Sequence, residues 1–317
     1  MTDAKKKIAT REAYGQTLAS LAGENPRIVV LDADLSKSTK TEEFAKVAPE
    51  RFFNVGIAEQ DLIGVGAGLA TCGKIPFISG FAIFVAGRGF EQIRNTVCYG
   101  RLNVKLAATH AGITVGEDGG SHQAIEDMAL MRALPGLTVI CPSDGVQTAW
   151  AVRAAADYQG PVYLRLGRLA LPQIYEESQE FRWGKGQLLR PGADIALIAT
   201  GLMVSEALEA AQLLAEEGIK AAVADIHTLK PLDTELVLNL AERCGAVLTL
   251  EEHSVIGGLG SAVAETLAEQ YGKPLAFSRL GVNDVFGQSG SPAALLKHYG
   301  LNAEAVATQA KTLLSRK

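Results

Sequence analysis

Cysteine and aromatic residues are scarce in this 317-residue sequence, which has four cysteines and 6% Phe, Trp and Tyr. The cysteines stand far apart and form no CxxC pair, at Cys72, Cys98, Cys141 and Cys244. This pattern argues against a zinc site and against a disulfide framework. We therefore expect no metal held by this chain's own residues and a reducing, cytoplasmic environment.

Long apolar runs and an excess of positive charge are also absent. The least charged stretches, such as 75–87, fall short of the roughly 18 apolar residues that a membrane-spanning helix needs. The start, MTDAKKKIATREAYG, has lysines with no apolar core after them, unlike a secretory signal. Thirty basic and thirty-five acidic residues leave a formal net charge of −5. We therefore expect a soluble protein with neither a membrane nor a nucleic-acid partner.

Short β-branched runs alternate with helix-like stretches along the chain. The runs lie at 28–34, 74–80, 104–111, 137–144 and 161–167, and again at 193–200, 219–226, 245–252 and 274–280. Helical periodicity is clearest at 203–217 and 258–271. This alternation is typical of βαβ units and parallel sheets. Because proline, glycine and charge interrupt it at 169–192, we predict two α/β domains, 1–180 and 181–317, each a mostly parallel sheet flanked by helices.

An acidic residue opens a glycine- and alanine-rich stretch in NVGIAEQDLIGVGAGLA (54–70). Glu59 would be costly in such an apolar setting unless it is paired or kept protonated. A helix-start acid that faces solvent explains the same letters. The glycines at 64–68 lack the spacing of a dinucleotide-binding loop, so close helix packing explains them.

Two histidines bracket a glycine-rich acidic loop in ATHAGITVGEDGGSHQ (108–123), directly after a predicted strand. Loops at the carboxyl ends of parallel strands are where open α/β sheets bind ligands. Hydrogen-bonded structural histidines are an equally good interpretation of His110 and His122. A metal site is less attractive, since the two histidines have no third soft ligand nearby.

Phe81, Phe84 and Phe90 lie in the small-residue stretch 78–90 and are either core residues or a flat wall for a heteroaromatic ring. Arg11, Arg165 and Arg168 are either surface groups or phosphate contacts. Composition alone leaves these alternatives open.

Taken in chain order, ATRE, DADLSKS, GIAEQ, FAIF, THAGITVGEDGGSHQ, CPSD and LGRLAL resemble the pyrimidine-binding domain of the transketolase family. TGLMVSEALEAAQLLAEEGIKAAVADIHTLKPLD and VLTLEEHSVIGGLGSAVAE resemble that family's C-terminal domain. The resemblance extends from about residue 8 to the end. Its motifs follow the family's order and spacing, although GIAEQ alone occurs in several thiamine enzymes.

The resemblance implies thiamine diphosphate as cofactor. Glu59 matches the glutamate that bonds to the ring nitrogen of the aminopyrimidine and favours its imino tautomer. Phe84 matches the phenylalanine that packs on that ring, and Phe81 lines the same pocket. Asp34, in the DADLSKS motif, is a further predicted cofactor-binding residue, and its role stays open.

The resemblance further implies transfer of a two-carbon ketol unit between sugar phosphates, as in the pentose phosphate pathway. His110 and His122 match histidines that contact substrate oxygens, so with Glu59 they are the predicted catalytic residues. Asp118 matches the acid that recognises the adjacent hydroxyl. The predicted contacts to the phosphate end of the sugar are Arg11, Ser38, His110 and Arg168.

One departure from the family pattern is large. The domain that holds Mg²⁺ and the diphosphate through a GDG motif has no counterpart in this chain, which is similar to the C-terminal subunits of split transketolases. The resemblance therefore implies an N-terminal partner subunit, homodimerisation of this chain and a heterotetramer. A milder departure is the small residues around Gly87, where longer transketolases have a tyrosine, so the preferred sugar stays open.

Three alternatives remain at this stage. The chain is also comparable with the beta subunit of a 2-oxo-acid dehydrogenase, which has an Ala-Glu-Gln motif but no need of Arg11 or Arg168 for phosphate. Deoxyxylulose-phosphate synthases use pyruvate and are usually one continuous chain. A non-catalytic scaffold is disfavoured because Glu59, His110 and His122 are all present.

Overall fold

The strands of the first half form where aliphatic residues run together, because a parallel sheet covered on both faces buries every residue of its strands. The computed structural model describes residues 6–317, so the first five residues of the predicted domain 1–180 lie outside it. Every residue from Ile75 to Phe81 is buried, for example. The strands are β1 (Lys7–Ala9), β2 (Ile28–Asp32), β3 (Phe52–Asn54), β4 (Ile75–Phe81), β5 (Lys105–Thr109), β6 (Thr138–Ile140), β7 (Val162–Arg165) and β8 (Ala170–Pro172).

Helices alternate with these strands and cover both faces of their sheet. They are α1 (Thr10–Glu24), α2 (Ser36–Thr39), α3 (Glu42–Val47), α4 (Glu59–Thr71), α5 (Phe90–Gln92), α6 (Asp127–Ala133) and α7 (Gly145–Asp157). Two π-helical turns, Ile83–Arg88 and Ile93–Cys98, flank α5, and 3₁₀ turns occupy Pro49–Arg51 and Ile113–Val115. Strands β2 to β7 run parallel, whereas β1 and β8 form a separate antiparallel ribbon.

The second half repeats the pattern on a smaller scale. Its strands are β9 (Gln187–Arg190), β10 (Ile195–Ala199), β11 (Ala221–Asp225), β12 (Thr228–Lys230), β13 (Ala246–Ser254) and β14 (Ala276–Val282). Its helices are α8 (Met203–Glu216), α9 (Thr234–Cys244), α10 (Leu259–Gln270), α11 (Pro292–His298) and α12 (Ala303–Leu314). The sheet order is β14-β13-β10-β11-β9, and the edge strand β9 alone is antiparallel. The predicted fold class, two mostly parallel α/β sheets flanked by helices, is confirmed.

The two halves are interlocked. Strand β12 leaves the second half and pairs antiparallel with β6, so the first sheet has the order β12-β6-β7-β5-β4-β2-β3. The apolar core is continuous as well, since Ala196 and Val247 of the second sheet belong to one buried cluster with Leu106 and Met128 of the first half. The predicted boundary near residue 180 stays a prediction; it falls in the stretch 173–186, which has neither helix nor strand.

Among the helices of residues 6–317, none combines the length and the apolar composition that crossing a lipid bilayer requires.

Candidate active site

The predicted site residues gather at the carboxyl-terminal edge of the first sheet. Arg168 follows β7, His110 follows β5, Phe84 follows β4, Asp34 follows β2 and Glu59 follows β3. In the spatial order β7-β5-β4-β2-β3 these residues succeed one another across the sheet. Sheet topology therefore brings together residues as distant in the chain as Asp34 and Arg168.

Glu59 is the first residue of α4, and only 2% of its surface is exposed. Its carboxylate is paired: Arg88 Nη1 donates to Glu59 Oε2 over 2.6 Å. The Arg88 guanidinium also stacks over the Phe84 ring, 4.9 Å from its centroid, and about half of its side chain remains exposed. A planar cation thus fills the space between a buried carboxylate and an aromatic face.

A π-helical turn, Ile83–Arg88, creates this pocket. The backbone N–H of Gly89 donates to the carbonyl of Phe84, five residues earlier, over 3.2 Å. Turns of this kind are rare and often occur at functional sites. Here the turn presents Phe84 and Arg88 together to Glu59. Neither the π-turn nor the role of Arg88 was predicted from the sequence.

Phe81 and Phe84 form an aromatic wall that continues to the two histidines. Their rings lie 6.1 Å apart between centroids and are nearly parallel. The Phe81 ring stacks on His110 at 3.9 Å, and the Phe84 ring meets the edge of His122 at 5.4 Å. The wall thus joins the Glu59 pocket to the histidines.

His110 is buried and fixed on both ring nitrogens. Its Nδ1 lies 2.9 Å from Thr109 Oγ1, and its Nε2 lies 3.2 Å from Arg11 Nη1. Since arginine only donates, Nε2 accepts from Arg11 and the proton stands on Nδ1. Burial, together with the charges of Arg11 and Arg168 and the proximity of His122, lowers the pKa of His110 to about 3, so the ring is neutral at neutral pH. Its φ of 57° is uncommon for a residue other than glycine.

Arg11, on α1, contacts Ser38 in α2 and His110 directly after β5. Besides His110, its Nη1 donates to the backbone carbonyl of Ser38 over 2.9 Å. That contact leaves the Ser38 hydroxyl free of Arg11. Of the four predicted phosphate contacts, Arg11 is therefore in direct contact with two others, Ser38 and His110.

Arg168, the fourth, lies beside the acidic loop. Its Nη1 donates to the carbonyl of Val115 over 2.5 Å and lies 3.7 Å from Asp118 Oδ2 and 3.8 Å from Glu117 Oε2. Asp118 is exposed, whereas His122 is half-buried, with its Nδ1 3.0 Å from Ser121 Oγ. Because these ion pairs are long and partly exposed, they contribute little to stability and leave Arg168 able to bind an anion.

Asp34 hydrogen-bonds to Asn54 and, within residues 6–317, to none of the predicted site residues named above. Its N–H donates to Asn54 Oδ1 over 3.1 Å, and the same oxygen accepts from Gly56 N over 2.9 Å. Asn54 thereby links the loop after β2 to the turn that leads into Glu59. Asn54 was missed from the sequence, although its place directly before GIAEQ was a usable signal.

Arg165 is a core residue, contrary to both alternatives that the sequence left open. Its Nε donates to Asp127 Oδ2 over 2.9 Å, and both side chains are almost fully buried. Its Nη2 donates to the carbonyls of Ala124 and Glu252. Arg165 therefore joins the two halves of the chain and does not face a ligand.

The geometry divides the site into two parts. Glu59 and Phe84 offer a buried acceptor beside an aromatic face, a combination suited to a flat nitrogen heterocycle that can carry a proton. Arg11 and Arg168, with neutral His110 and exposed Asp118, offer cations and hydrogen-bonding groups for a polyhydroxylated anion. No three His, Cys, Asp or Glu side chains within residues 6–317 are grouped to hold a metal ion.

Two protein-family models match the chain. Residues 6–173 match the pyrimidine-binding domain of transketolase, and residues 184–306 match the transketolase C-terminal domain.

Two curated relatives of similar length are named as a transketolase section and a transketolase subunit. A putative transketolase C-terminal section from Methanocaldococcus jannaschii is 52% identical over 94% of this chain and 93% of its own length. A 6-deoxy-6-sulfo-D-fructose transketolase subunit from Clostridium is 44% identical over 97% of this chain and 95% of its own length. Human transketolase is 40% identical over 98% of this chain, which spans 50% of the human protein.

Solved structures agree with the sequence matches. A structure described as a split-gene transketolase, an inactive beta4 tetramer, is 56% identical, with a TM-score of 0.89 that covers 98% of this chain and 99% of the other. Transketolase from Pichia stipitis with sedoheptulose 7-phosphate is 26% identical, with a TM-score of 0.82 over 99% of this chain and 47% of the other. With both domain matches and relatives of this identity, the chain belongs to the transketolase family and carries its pyrimidine-binding and C-terminal domains.

Proposed function

We propose that this chain is the C-terminal subunit of a thiamine-diphosphate-dependent transketolase, which moves a two-carbon ketol unit from a ketose phosphate to an aldose phosphate. The observation that carries the proposal is the Glu59 pocket. There, a buried carboxylate and the Phe84 ring hold a planar cationic donor, the Arg88 guanidinium. A protonatable aminopyrimidine needs the same two partners, so these residues fit that part of the cofactor.

When bound, thiamine diphosphate supplies the nucleophilic carbon and the electron sink that ketol transfer requires. In this proposal Glu59 binds the pyrimidine nitrogen and exchanges a proton with it. Phe84 orients the ring by stacking, and Phe81 closes the pocket from the side of His110. Asp34 acts through Asn54 by fixing the turn that presents Glu59.

The histidine and arginine cluster binds the sugar phosphate in this proposal. The His110 ring, already bonded through both nitrogens, lies in contact with a substrate oxygen in this proposal, and half-buried His122 hydrogen-bonds to the substrate from the other side of Phe81. Asp118 accepts from a sugar hydroxyl. Arg11 and Arg168, with Ser38 at the rim, attract the phosphate, and both guanidinium groups already lie close enough to lower the pKa of His110.

An N-terminal partner subunit that holds Mg²⁺ and the diphosphate is part of the proposal. Relatives of the same length are named as a transketolase C-terminal section and as transketolase subunits, which supports a second chain. A heterotetramer, with two copies of this chain, and a cytoplasmic location are parts of the proposal.

The identity of the sugar is a separate choice. Relatives named for 6-deoxy-6-sulfo-D-fructose and for apulose 4-phosphate are 44% and 38% identical. These names support a second candidate, ketol transfer from a sulfonated or branched sugar. Both candidates use an anionic ketose and the same arginines. A dehydrogenase beta subunit is less well supported, because it needs neither Arg11 nor Arg168.

The experiment is ketol transfer from xylulose 5-phosphate to ribose 5-phosphate, with thiamine diphosphate and Mg²⁺. The chain is assayed alone and after mixing with the N-terminal partner encoded beside it. Activity in the mixture alone supports the proposal. If the mixture is inactive, 6-deoxy-6-sulfo-D-fructose and apulose 4-phosphate are tried as donors. If no phosphosugar or sulfosugar is consumed while pyruvate is, the transketolase proposal is wrong.

A further inference from the structure

The loop from residue 112 to residue 123, hereafter the substrate loop, carries two of the proposed sugar contacts, Asp118 and His122. Its internal backbone hydrogen bonds are short-range turns, such as Gly116 N to Ile113 O and His122 N to Gly119 O. Turns of this kind set local shape but do not fix the position of a loop on the protein. The position of Asp118 and His122 must therefore come from contacts outside the loop.

Arg168 supplies one outside contact, to the carbonyl of Val115, and the C-terminal half supplies another. Glu252, on β13, is buried, and its Oε1 accepts from the backbone N–H of Thr114 over 2.6 Å. The same carboxylate packs against Gly112, which has a φ of 81°. A Cβ atom at Gly112 would lie 2.3 Å from Glu252 Cδ, so only glycine leaves room for this carboxylate. Glu252 therefore fixes the first turn of the loop.

Arg165 holds the two sides of this contact together. Its Nη2 donates to the carbonyl of Glu252 over 2.9 Å and to the carbonyl of Ala124, directly after the loop, over 3.2 Å. The end of β13 and the end of the substrate loop are thus held by one guanidinium. A buried ion pair with Asp127 keeps that guanidinium in place.

A second contact between the halves lies nearer to the tip of the loop. The hydroxyl of Ser289 donates to the carbonyl of Glu117 over 2.7 Å, next to Asp118. Gln123 Nε2 donates to the carbonyl of Ile113 over 2.9 Å and to that of Gln288 over 3.0 Å. The C-terminal half therefore contacts the loop at its start, its tip and its end.

We propose that Glu252 is a positioning residue for the sugar phosphate, so that the C-terminal domain sets the affinity for the sugar by holding the substrate loop. The inference rests on the proposed function. Within residues 6–317, no hydrogen bond or ion pair of Glu252 reaches the Glu59 pocket, Arg11 on α1 or Ser38 on α2. Its removal should therefore weaken sugar binding and leave cofactor binding intact.

The test compares three variants in the complex with the N-terminal partner and in the isolated chain. Glu252→Ala removes the acceptor, whereas Glu252→Gln keeps an oxygen that can accept from Thr114 N–H. The matched control is Glu251→Ala. Glu251 is an equally buried carboxylate on the same strand, but it accepts from Leu259 N and Gly260 N of its own domain.

Two readouts are expected to move together in Glu252→Ala. Hydrogen–deuterium exchange of peptides covering 112–119 in the isolated chain should speed up about tenfold, since a buried hydrogen bond is lost. The KM for the ketose phosphate should rise about tenfold, because small displacements of contact groups are costly. The kcat and the Kd for thiamine diphosphate should stay within about twofold, and Glu252→Gln and Glu251→Ala should keep the wild-type KM.

Several results would overturn the inference. Faster exchange with an unchanged KM would reduce Glu252 to a structural residue, and so would a raised KM in the Glu251→Ala control. Should Glu252→Ala fail to fold, exposed Ser289→Ala decides: the KM should rise about threefold, and an unchanged KM overturns the proposal. If the wild-type complex transfers no ketol unit, the proposed function and the sugar role fail together. Hydrogen–deuterium exchange of the isolated chain then still shows whether Glu252 holds the substrate loop.

Discussion

Glu59 and Glu252 are two buried carboxylates whose partners are of different kinds. Glu59 is paired with a side chain, the guanidinium of Arg88, about half of which is exposed. Glu252 is paired with a backbone N–H, that of Thr114, in a buried junction between the two halves. A side chain with an exposed path can move aside for a ligand, whereas a backbone amide inside a 3₁₀ turn cannot. The first arrangement suits a binding pocket and the second suits a support.

The same comparison applies to charge. Arg88 places a positive charge against the Glu59 carboxylate. At the junction, burial raises the pKa of Glu252, and Arg165 offsets only part of that shift. Removing the negative charge should therefore be harmful at Glu59 and harmless at Glu252, and the following substitutions test this difference.

The largest effect is expected from Glu59→Gln. It keeps the shape of the side chain but removes the carboxylate that would exchange a proton with the cofactor, so ketol transfer by the complex should fall about 10²- to 10⁴-fold. The measurement is kcat at saturating cofactor. Asp61→Asn, an exposed acid in the first turn of the same helix, is the control and should keep the wild-type rate. A wild-type rate in Glu59→Gln would remove this residue from the chemistry.

Arg88→Ala should have the next largest effect, on stability. It leaves the Glu59 carboxylate buried without a partner, which should lower the free energy of unfolding of the isolated chain by about 1–3 kcal/mol. Chemical denaturation measures this change. Arg94→Ala, an exposed arginine on the following π-helical turn, should change stability by less than about 0.5 kcal/mol.

The double variant Glu59→Gln/Arg88→Ala isolates the pair. It should be more stable than the sum of the two single changes predicts, because the second substitution no longer leaves a buried charge unpaired. Strict additivity would mean that Arg88 does not pair with Glu59 in solution.

Glu252→Gln is expected to have a smaller effect, which is an increase in stability at high pH. Because the pKa of Glu252 is raised on folding, its contribution to stability is present below the ordinary glutamate pKa and is lost as pH rises through the folded-state pKa. Glutamine does not titrate. From pH 5 to pH 8 the free energy of unfolding of the variant should therefore increase relative to that of the wild type, by about 1 kcal/mol or less. Denaturation at both pH values measures the gain, and a variant that loses ground toward pH 8 would contradict the prediction.

The smallest change in stability is expected from Asp118→Asn. Asp118 is exposed, and its Oδ2 lies 3.7 Å from Arg168 Nη1. The free energy of unfolding should therefore change by less than about 0.5 kcal/mol. The KM for the ketose phosphate should nevertheless rise, because the neutral amide oxygen of asparagine is a weaker acceptor for a sugar hydroxyl than the carboxylate. Kinetics and denaturation on one preparation separate the two effects, and a KM equal to that of the wild type would exclude Asp118 from sugar binding.

The central strands were predictable because burial on both faces gives continuous aliphatic runs. Residues 28–34, for example, contain β2, and 219–226 contain β11. The short edge strand β12 was not predicted, because three residues are too few for a pattern and its partner lies some 90 positions earlier. The π-turn at Ile83–Arg88 was also hidden, since its letters suit an ordinary helix equally well.

The sequence singled out candidate residues but none of their contacts. Glu59, Phe84 and His110 stood out because acidic, aromatic and histidine side chains interrupted stretches of small residues, and only the resemblance to the transketolase family assigned them roles, which stay predictions. The partners of Glu59 and Glu252 lie 29 and 138 positions away, and only the folded chain brings them together. The cation that satisfies Glu59 therefore had no signal in the letters around GIAEQ.

Strand β12 has a consequence for how the chain can be made. Because Thr228–Lys230 completes the first sheet, a ribosome must deliver some 230 residues before β6 has its second neighbour. Until then β6 is an open edge that can pair with another nascent chain. A fragment that stops at the boundary near residue 180 keeps that edge permanently, so it should aggregate where the whole chain does not.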